Sequence, residues 1–301
     1  MNAETSGSVP RTRPIVVGVD DAESSLAAVR WAAEEAVVRG LPLELLHVTP
    51  YDHPVAPGSA HGAQSILARG RTVARRHVDG VDVSTRLVTG TAAAALVEAS
   101  ADATLLVVGL TGGGRADEIL LSSTSLGVSG RAACPVVGVR SWPLPASTRG
   151  EIVLGIDADT EEAVLDTAFE LAERRGRDLV VVHCASGKDP DAGNGGPPWL
   201  EDQLAAARRR HPAVKAHTQV HTGLALNIVN TLLRQAARAE AIVVGTRNQG
   251  RAARIVLGST SRGLLRHSQV PVIVVGPDVV RDESARSSGR ARDAASSTTA
   301  P

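Results

Sequence analysis

Apolar positions along this chain fall in short, dense blocks. Ile15-Val16-Val17-Gly18-Val19 runs without a polar side chain up to Asp20, and Leu105-Leu106-Val107-Val108 runs into Gly109. Short Val- and Ile-rich blocks of this kind fit strands buried on both faces of a parallel sheet. Ala-rich stretches lie between them, such as the one closing at Gly40, and read as helices. Gly40 and Gly176 suit a left-handed helix C-cap.

The blocks come in two sets. Ile15 to Asp20 recurs as Ile152-Val153-Leu154-Gly155-Ile156-Asp157, 137 positions on. His47 recurs as His183, Leu105 to Gly109 as Ala241 to Gly245, and Cys134-Pro135-Val136-Val137 as Val270-Pro271-Val272-Ile273, all 136 positions on. Separate blocks recurring at the same offset to within one residue mark a duplication.

Each copy predicts the same succession. A strand (15–20; 152–157) leads through a helix to a second strand (43–48; 179–184). A loop (49–64; 185–198) leads to a second helix (65–77; 199–210). The third strand alternates, with Val81, Val83, Thr85 and Leu87 on one face, and Val214, Ala216, Thr218 and Val220 in the other copy. A helix opens after Gly90 and Gly223. The fourth strand (104–109; 241–245), a last helix (123–132; 259–267) and a fifth strand (135–140; 271–275) close each copy. This alternation predicts an α/β chain of two tandem five-stranded, parallel-sheet, Rossmann-like domains with helices on both faces. Domain one spans 13–140 and domain two 150–277. Residues 141–149 form a linker, and 278–301, rich in Arg, Ser, Ala and Thr, a disordered tail.

Composition narrows the function. The 301 residues carry 32 Lys and Arg against 32 Asp and Glu, so no global field draws nucleic acid or anionic membrane. At 2% aromatic residues, the chain has few platforms for stacking bases. Two cysteines cannot form a disulfide framework, and no apolar run reaches membrane-spanning length. The N-terminus has no apolar signal segment. A cytoplasmic setting is expected, with neither nucleic acid nor membrane as a partner.

Ligands of open parallel sheets bind beyond the C-terminal strand ends. Glycines and hydroxyls gather there: Gly18 and Asp20, Gly155 and Asp157, then the loops after the fourth strands. The first such loop contains Gly109, Gly112, Ser122, Ser123 and Thr124; the second contains Gly245, Asn248, Gly258, Ser259, Thr260 and Ser261. Glycine lets backbone N–H groups approach a phosphate, and hydroxyls at a helix start add donors beside the helix dipole. The alternative is a pair of ordinary turns and caps.

With these residues in place, each copy resembles a universal stress protein domain, and the whole resembles the tandem, ATP-binding kind of high-GC bacteria. The carriers are the Val-Gly-Val-Asp strand end, the strand-2 histidine, and the loop spacing Gly, two residues, Gly, nine residues, Gly-Ser. The first copy has Ser122 where that pattern has Gly, and the second has Asn248. The resemblance implies an adenine nucleotide, ATP with or without Mg²⁺. Asp20 and Asp157 would lie near the nucleoside, and Val48 and Cys184 against adenine. It also implies pairing of the last strands within the chain, and it leaves room for a homodimer. The function implied is a regulatory, non-catalytic nucleotide binder of the stress response. A nucleotide-free dimerising interaction module and a slow ATPase are the alternatives. Asn248 tolerates left-handed geometry while Ser122 adds a Cβ near the expected phosphate, so the second site is the better one.

Other candidates carry less. Arg115, Arg251 and Arg254 could reach phosphates. His47 and His183 fit packed, hydrogen-bonded side chains. His217 and His221 share a strand face but have no third metal ligand. No Walker A or Gly-x-Gly-x-x-Gly motif is present.

Overall fold

The computed structural model describes residues 12–50, 59–110, 127–143, 150–186, 196–223, 227–246, 257–277 and 279. The first half runs β1 (Ile15–Gly18), α1 (Glu23–Arg39), β2 (Leu43–Thr49), α2 (Ser59–His77), β3 (Val83–Thr89), α3 (Ala92–Ser100), β4 (Leu105–Gly109) and β5 (Val136–Val139). The second runs β6 (Ile152–Ile156), α4 (Glu162–Arg175), β7 (Leu179–Ser186), α5 (Pro198–Arg210), β8 (Ala216–Gly223), α6 (Ile228–Ala236), β9 (Ala241–Gly245), α7 (Ser259–His267) and β10 (Val272–Val275).

These strands form one ten-stranded sheet in the palindromic order β3-β2-β1-β4-β5-β10-β9-β6-β7-β8. Within each half all pairings are parallel. Among the described residues the one antiparallel pairing joins β5 to β10, with Val137 opposite Ile273. The two halves are thus paired through their last strands. In each half the strand order reverses between the first and fourth strands, which makes β1/β4 and β6/β9 the switch points.

The apolar blocks explain the layers. Ile15, Val17, Leu105 and Val107 are buried on one face, and Val16, Leu106 and Val108 on the other. The first face forms one continuous core across both halves, with α1, α2, α4 and α5 packed on it; the second face divides into two smaller clusters. Gly40 and Gly176 end α1 and α4 at φ 64° and 61°, the expected left-handed caps.

Several boundaries differ from the sequence expectation. Helix α2 begins at Ser59, inside the stretch 49–64 expected as loop. Gly62 and the exposed Gln64 hide its periodicity; helical glycine costs about 1 kcal/mol, which tertiary packing absorbs. Strands β3 and β8 start two residues after Val81 and Val214. Leu87 is among the exposed large apolar residues, because β3 is a sheet edge. Of the helix expected over 123–132, residues 127–132 are described; 127–129 are helical, and the chain has already left the helix at 130–132. Linker residues 144–149 and most of the tail lie outside the described residues.

The interface between halves carries charge as well as apolar pairing. Glu35 of α1, fully buried, accepts from Arg39 Nε at 2.6 Å and from Arg175 Nη2 of α4 at 2.6 Å. Arg175 also donates to Glu240 at 3.0 Å and lies 5.6 Å over the Trp31 ring. Burial alone would raise the Glu35 carboxyl, but Arg39 and Arg175 outweigh it and hold it below the ordinary glutamate value. Arg140, just past β5, donates to the carbonyls of Leu265, Arg266 and Ser268, filling the unpaired C-terminal end of α7 across the interface.

Candidate functional site

A cavity of about 400 Å³ opens at the β6/β9 switch point, within the range of small-molecule pockets. Its apolar wall comes from Val182 and Cys184 of β7, Val244 of β9, and Ile228 and Leu232 of α6. Ile228 and Leu232, one helical turn apart, share a face of α6 and so meet the cavity together. Across from them lies the loop Asp157 to Glu161, with Val164 of α4 behind it. The third side is Gly245 and Thr246 at the end of β9, with Gly258, Thr260 and Ser261 at the start of α7.

The polar side is organised by local hydrogen bonds. Asp157 N–H donates to Thr160 Oγ1 at 2.8 Å, and Thr160 Oγ1 donates to Asp157 Oδ1 at 2.9 Å, which folds the loop on itself. Ser261 Oγ donates to the Gly245 carbonyl at 2.9 Å and ties the first turn of α7 to the end of β9. Gly258 is the N-cap of α7 and has no side chain to satisfy the first-turn N–H groups. Thr246 Oγ1 is buried and has no hydrogen-bond partner among the described residues. The cavity therefore joins an apolar slot on one side to a helix start without a side-chain cap on the other. Asp157, Asp159 and Glu161 add carboxylates between the two.

The second-copy residues singled out in the sequence are mostly brought together. Gly155, Asp157, Cys184, Gly245, Gly258, Thr260 and Ser261 all line the cavity; Ser259 does not. Gly155 has a packing reason of its own: a Cβ there would lie 3.1 Å from Val244 Cγ1 and 3.2 Å from Leu232 Cδ1. Cys184 is half-buried at the cavity wall, not enclosed in a strand core, and burial pushes its thiol up from the ordinary value. Cys134 is enclosed, its thiol pushed up to about 12 by burial. In the first copy, Gly18, Asp20, Val48 and Gly109 sit at the matching strand ends. Gly112, Ser122, Ser123, Thr124 and Asn248 lie outside the described residues, as do Arg115, Arg251 and Arg254.

The two histidines act within the strands. A carbonyl can only accept, so His47 Nδ1–H donates to Val19 O at 2.7 Å and His183 Nδ1–H to Ile156 O at 3.1 Å. Each ring pins the end of one strand to the next. The exposed His217 faces Asp178 at 3.7 Å, while His221 meets Gln235 at 3.2 Å. Among the described residues no group of three His, Cys, Asp or Glu side chains is placed to hold a metal.

Sequence reading missed Val164, Thr160, Thr246, Ile228 and Leu232. The spacing of the last two on an amphipathic helix was a usable signal. Val164 had none, because its place depends on where α4 begins.

Comparison with known proteins gives one answer. The model of the universal stress protein family matches residues 11–140 and 148–276. A universal stress protein of Mycolicibacterium smegmatis is 33% identical over 290 residues, covering 87% of this chain and 97% of that protein. One from Mycobacterium tuberculosis strain H37Rv is 32% identical over 285 residues, covering 86% and 95%. The crystal structure of a universal stress protein from Archaeoglobus fulgidus superposes with a TM-score of 0.70, covering 88% of this chain and 99% of that one. At 19% identity, that likeness concerns the fold.

Proposed function

The chain belongs to the universal stress protein family, and from that premise we propose that it is a regulatory protein that binds an adenine nucleotide, ATP, in the cavity of its second half. The observation that carries this reading is the union of an apolar slot with an uncapped helix start in one cavity at the sheet's switch point. Adenine suits the slot between Ile228, Val244 and Cys184. The phosphates suit the first-turn N–H groups of α7 and the Thr260 hydroxyl, where the helix dipole favours an anion. Asp157 suits the ribose hydroxyls as an acceptor. Asp159 and Glu161 would repel a bare triphosphate, so the nucleotide would enter as its Mg²⁺ complex. The cation would be held mainly by phosphate oxygens, as is usual for Mg²⁺.

Binding biases the conformation or the contacts of the protein; turnover is not part of the proposal. Among the described residues no helix is long and apolar enough to cross a membrane, and a cytoplasmic setting belongs to the proposal. So does association of two chains, which sedimentation at micromolar concentration checks; a monomer mass removes it.

The test is calorimetric titration of the purified chain with ATP and Mg²⁺, together with acid extraction of nucleotide from fresh protein. A saturable heat or co-purified nucleotide is expected. No heat up to about 1 mM ATP, a weak-binding limit near 4 kcal/mol, together with no extracted nucleotide, overturns the proposal.

A further inference from the structure

The two halves share a repeat but not the turn after their first strand. Gly18 and Gly155 are 137 positions apart, yet α1 starts at Glu23 and α4 at Glu162, which are 139 apart. The caps that close these helices, Gly40 and Gly176, are 136 apart. Helix α1 therefore has 17 residues and α4 has 14, and nearly one turn has been lost from the start of α4. A longer loop, Asp157 to Glu161, takes its place.

That turn lies where a ligand would sit. A Cβ built on Gly109 would lie 2.7 Å from the backbone C of Ser24 and N of Ser25, so the first turn of α1 rests directly on the end of β4. At the equivalent Gly245, 136 positions on, the nearest atom among the described residues is the side-chain Cγ2 of Val164 at 3.2 Å, and the nearest described backbone atom is the Val275 carbonyl oxygen at 4.0 Å. The hydrogen bonds follow the same division. Asp20 N–H is taken by Ser25 Oγ of the helix at 3.0 Å, whereas Asp157 N–H is taken by Thr160 of the loop at 2.8 Å. In the first half the end of β1 is stitched to the helix and the helix to β4. In the second the loop holds itself, α4 stands back, and the cavity opens beside Gly245.

We infer that the chain holds one nucleotide, in its second half, and that the first turn of α1 closes the first half to nucleotide. This rests on the nucleotide-binding reading above. It adds that the duplicated half is a scaffold, kept for its strand pairing and its share of the core.

The experiment is calorimetric titration of the full chain with Mg²⁺-ATP, for the wild type, Ile228→Trp and Ala92→Trp. Ile228 forms the cavity wall; Ala92 is its counterpart 136 positions earlier, partly exposed at the start of α3. Circular dichroism first establishes that both variants are folded. The expected result is one nucleotide per wild-type chain, an affinity weakened at least about tenfold by Ile228→Trp, and wild-type binding in Ala92→Trp. Two nucleotides per chain, or one site surviving at full affinity in Ile228→Trp, overturns the inference while leaving nucleotide binding intact. No binding by the wild-type chain overturns both.

Discussion

Removing the two arginines that flank Glu35 should cost more than the sum of removing each. Glu35 is fully buried and accepts from Arg39 on its own helix and from Arg175 of the other half. Arg175→Met deletes the guanidinium over Trp31 and with it the donors at 3.0 and 2.6 Å to Glu35 and at 3.0 Å to Glu240. Glu35 then retains Arg39, and Glu240 retains Arg177 at 2.8 Å. Charge-assisted bonds contribute roughly 1.5–3 kcal/mol each, offset by the desolvation that Arg175 no longer suffers. The single variant should lose about 2–3 kcal/mol, and Arg39→Met less. The double variant strands a buried carboxylate, a situation that costs about 3–5 kcal/mol by itself. The coupling term should therefore exceed about 1 kcal/mol. Urea unfolding of the wild type, both singles and the double measures it.

The pH dependence gives an independent sign. In the wild type the folded carboxyl lies below its ordinary value of 4.5. Its contribution is thus present above that value and lost as pH falls through the folded one. In the double variant burial acts unopposed and raises the carboxyl, so stability should increase on acidification from neutral pH toward 5. Additive single losses, or parallel pH slopes in wild type and double variant, would refute this account of the interface.

The remaining predictions concern packing and accessibility. Gly109→Ala should destabilise by about 1–3 kcal/mol, since its Cβ meets fixed backbone, whereas Gly245→Ala, which meets one rotatable valine, should cost under about 1 kcal/mol; thermal unfolding compares them. Gly138→Ala should also cost about 1–3 kcal/mol, because the new Cβ would lie 2.7 Å from Leu265 and 2.9 Å from Leu110, buried side chains from opposite halves. Cys184 should react with iodoacetamide slowly at neutral pH, its thiol being raised by burial, and more slowly still with saturating ATP. Protection absent at saturating ATP would separate the cysteine from the ligand site.

How much of this was legible follows from what each feature depends on. The strands were readable because burial on both faces demands unbroken Val and Ile, as in Ile15-Val16-Val17 and Ile152-Val153-Leu154. The pairing of β5 with β10 followed from the family resemblance and is present as Val137 opposite Ile273. The strand-2 histidines were placed correctly because a polar ring at a buried strand end needs a partner, and Val19 and Ile156 supply carbonyls. The ionic interface was illegible: Glu35 reads as one more exposed helical glutamate until α4 brings Arg175 against it.

The difference between the halves was half legible, and the reason is instructive. Sequence reading found them unequal at Ser122 and Asn248, positions that lie outside the described residues. The inequality the structure does describe arises elsewhere, in offsets that drift from 137 at Gly18 to 139 at the helix start and back to 136 at Gly40. Motif matching treats such drift as noise between conserved-looking blocks. On a helix it is geometry: at about 1.5 Å per residue, three residues displace the helix start by roughly 4–5 Å. That is comparable to the thickness of an aromatic ring, and it sets helix backbone against the end of the fourth strand in the first half but a valine side chain there in the second. A repeat can therefore preserve its strands, caps and strand pairing in both copies while the helix that borders the switch point starts at a different place in each.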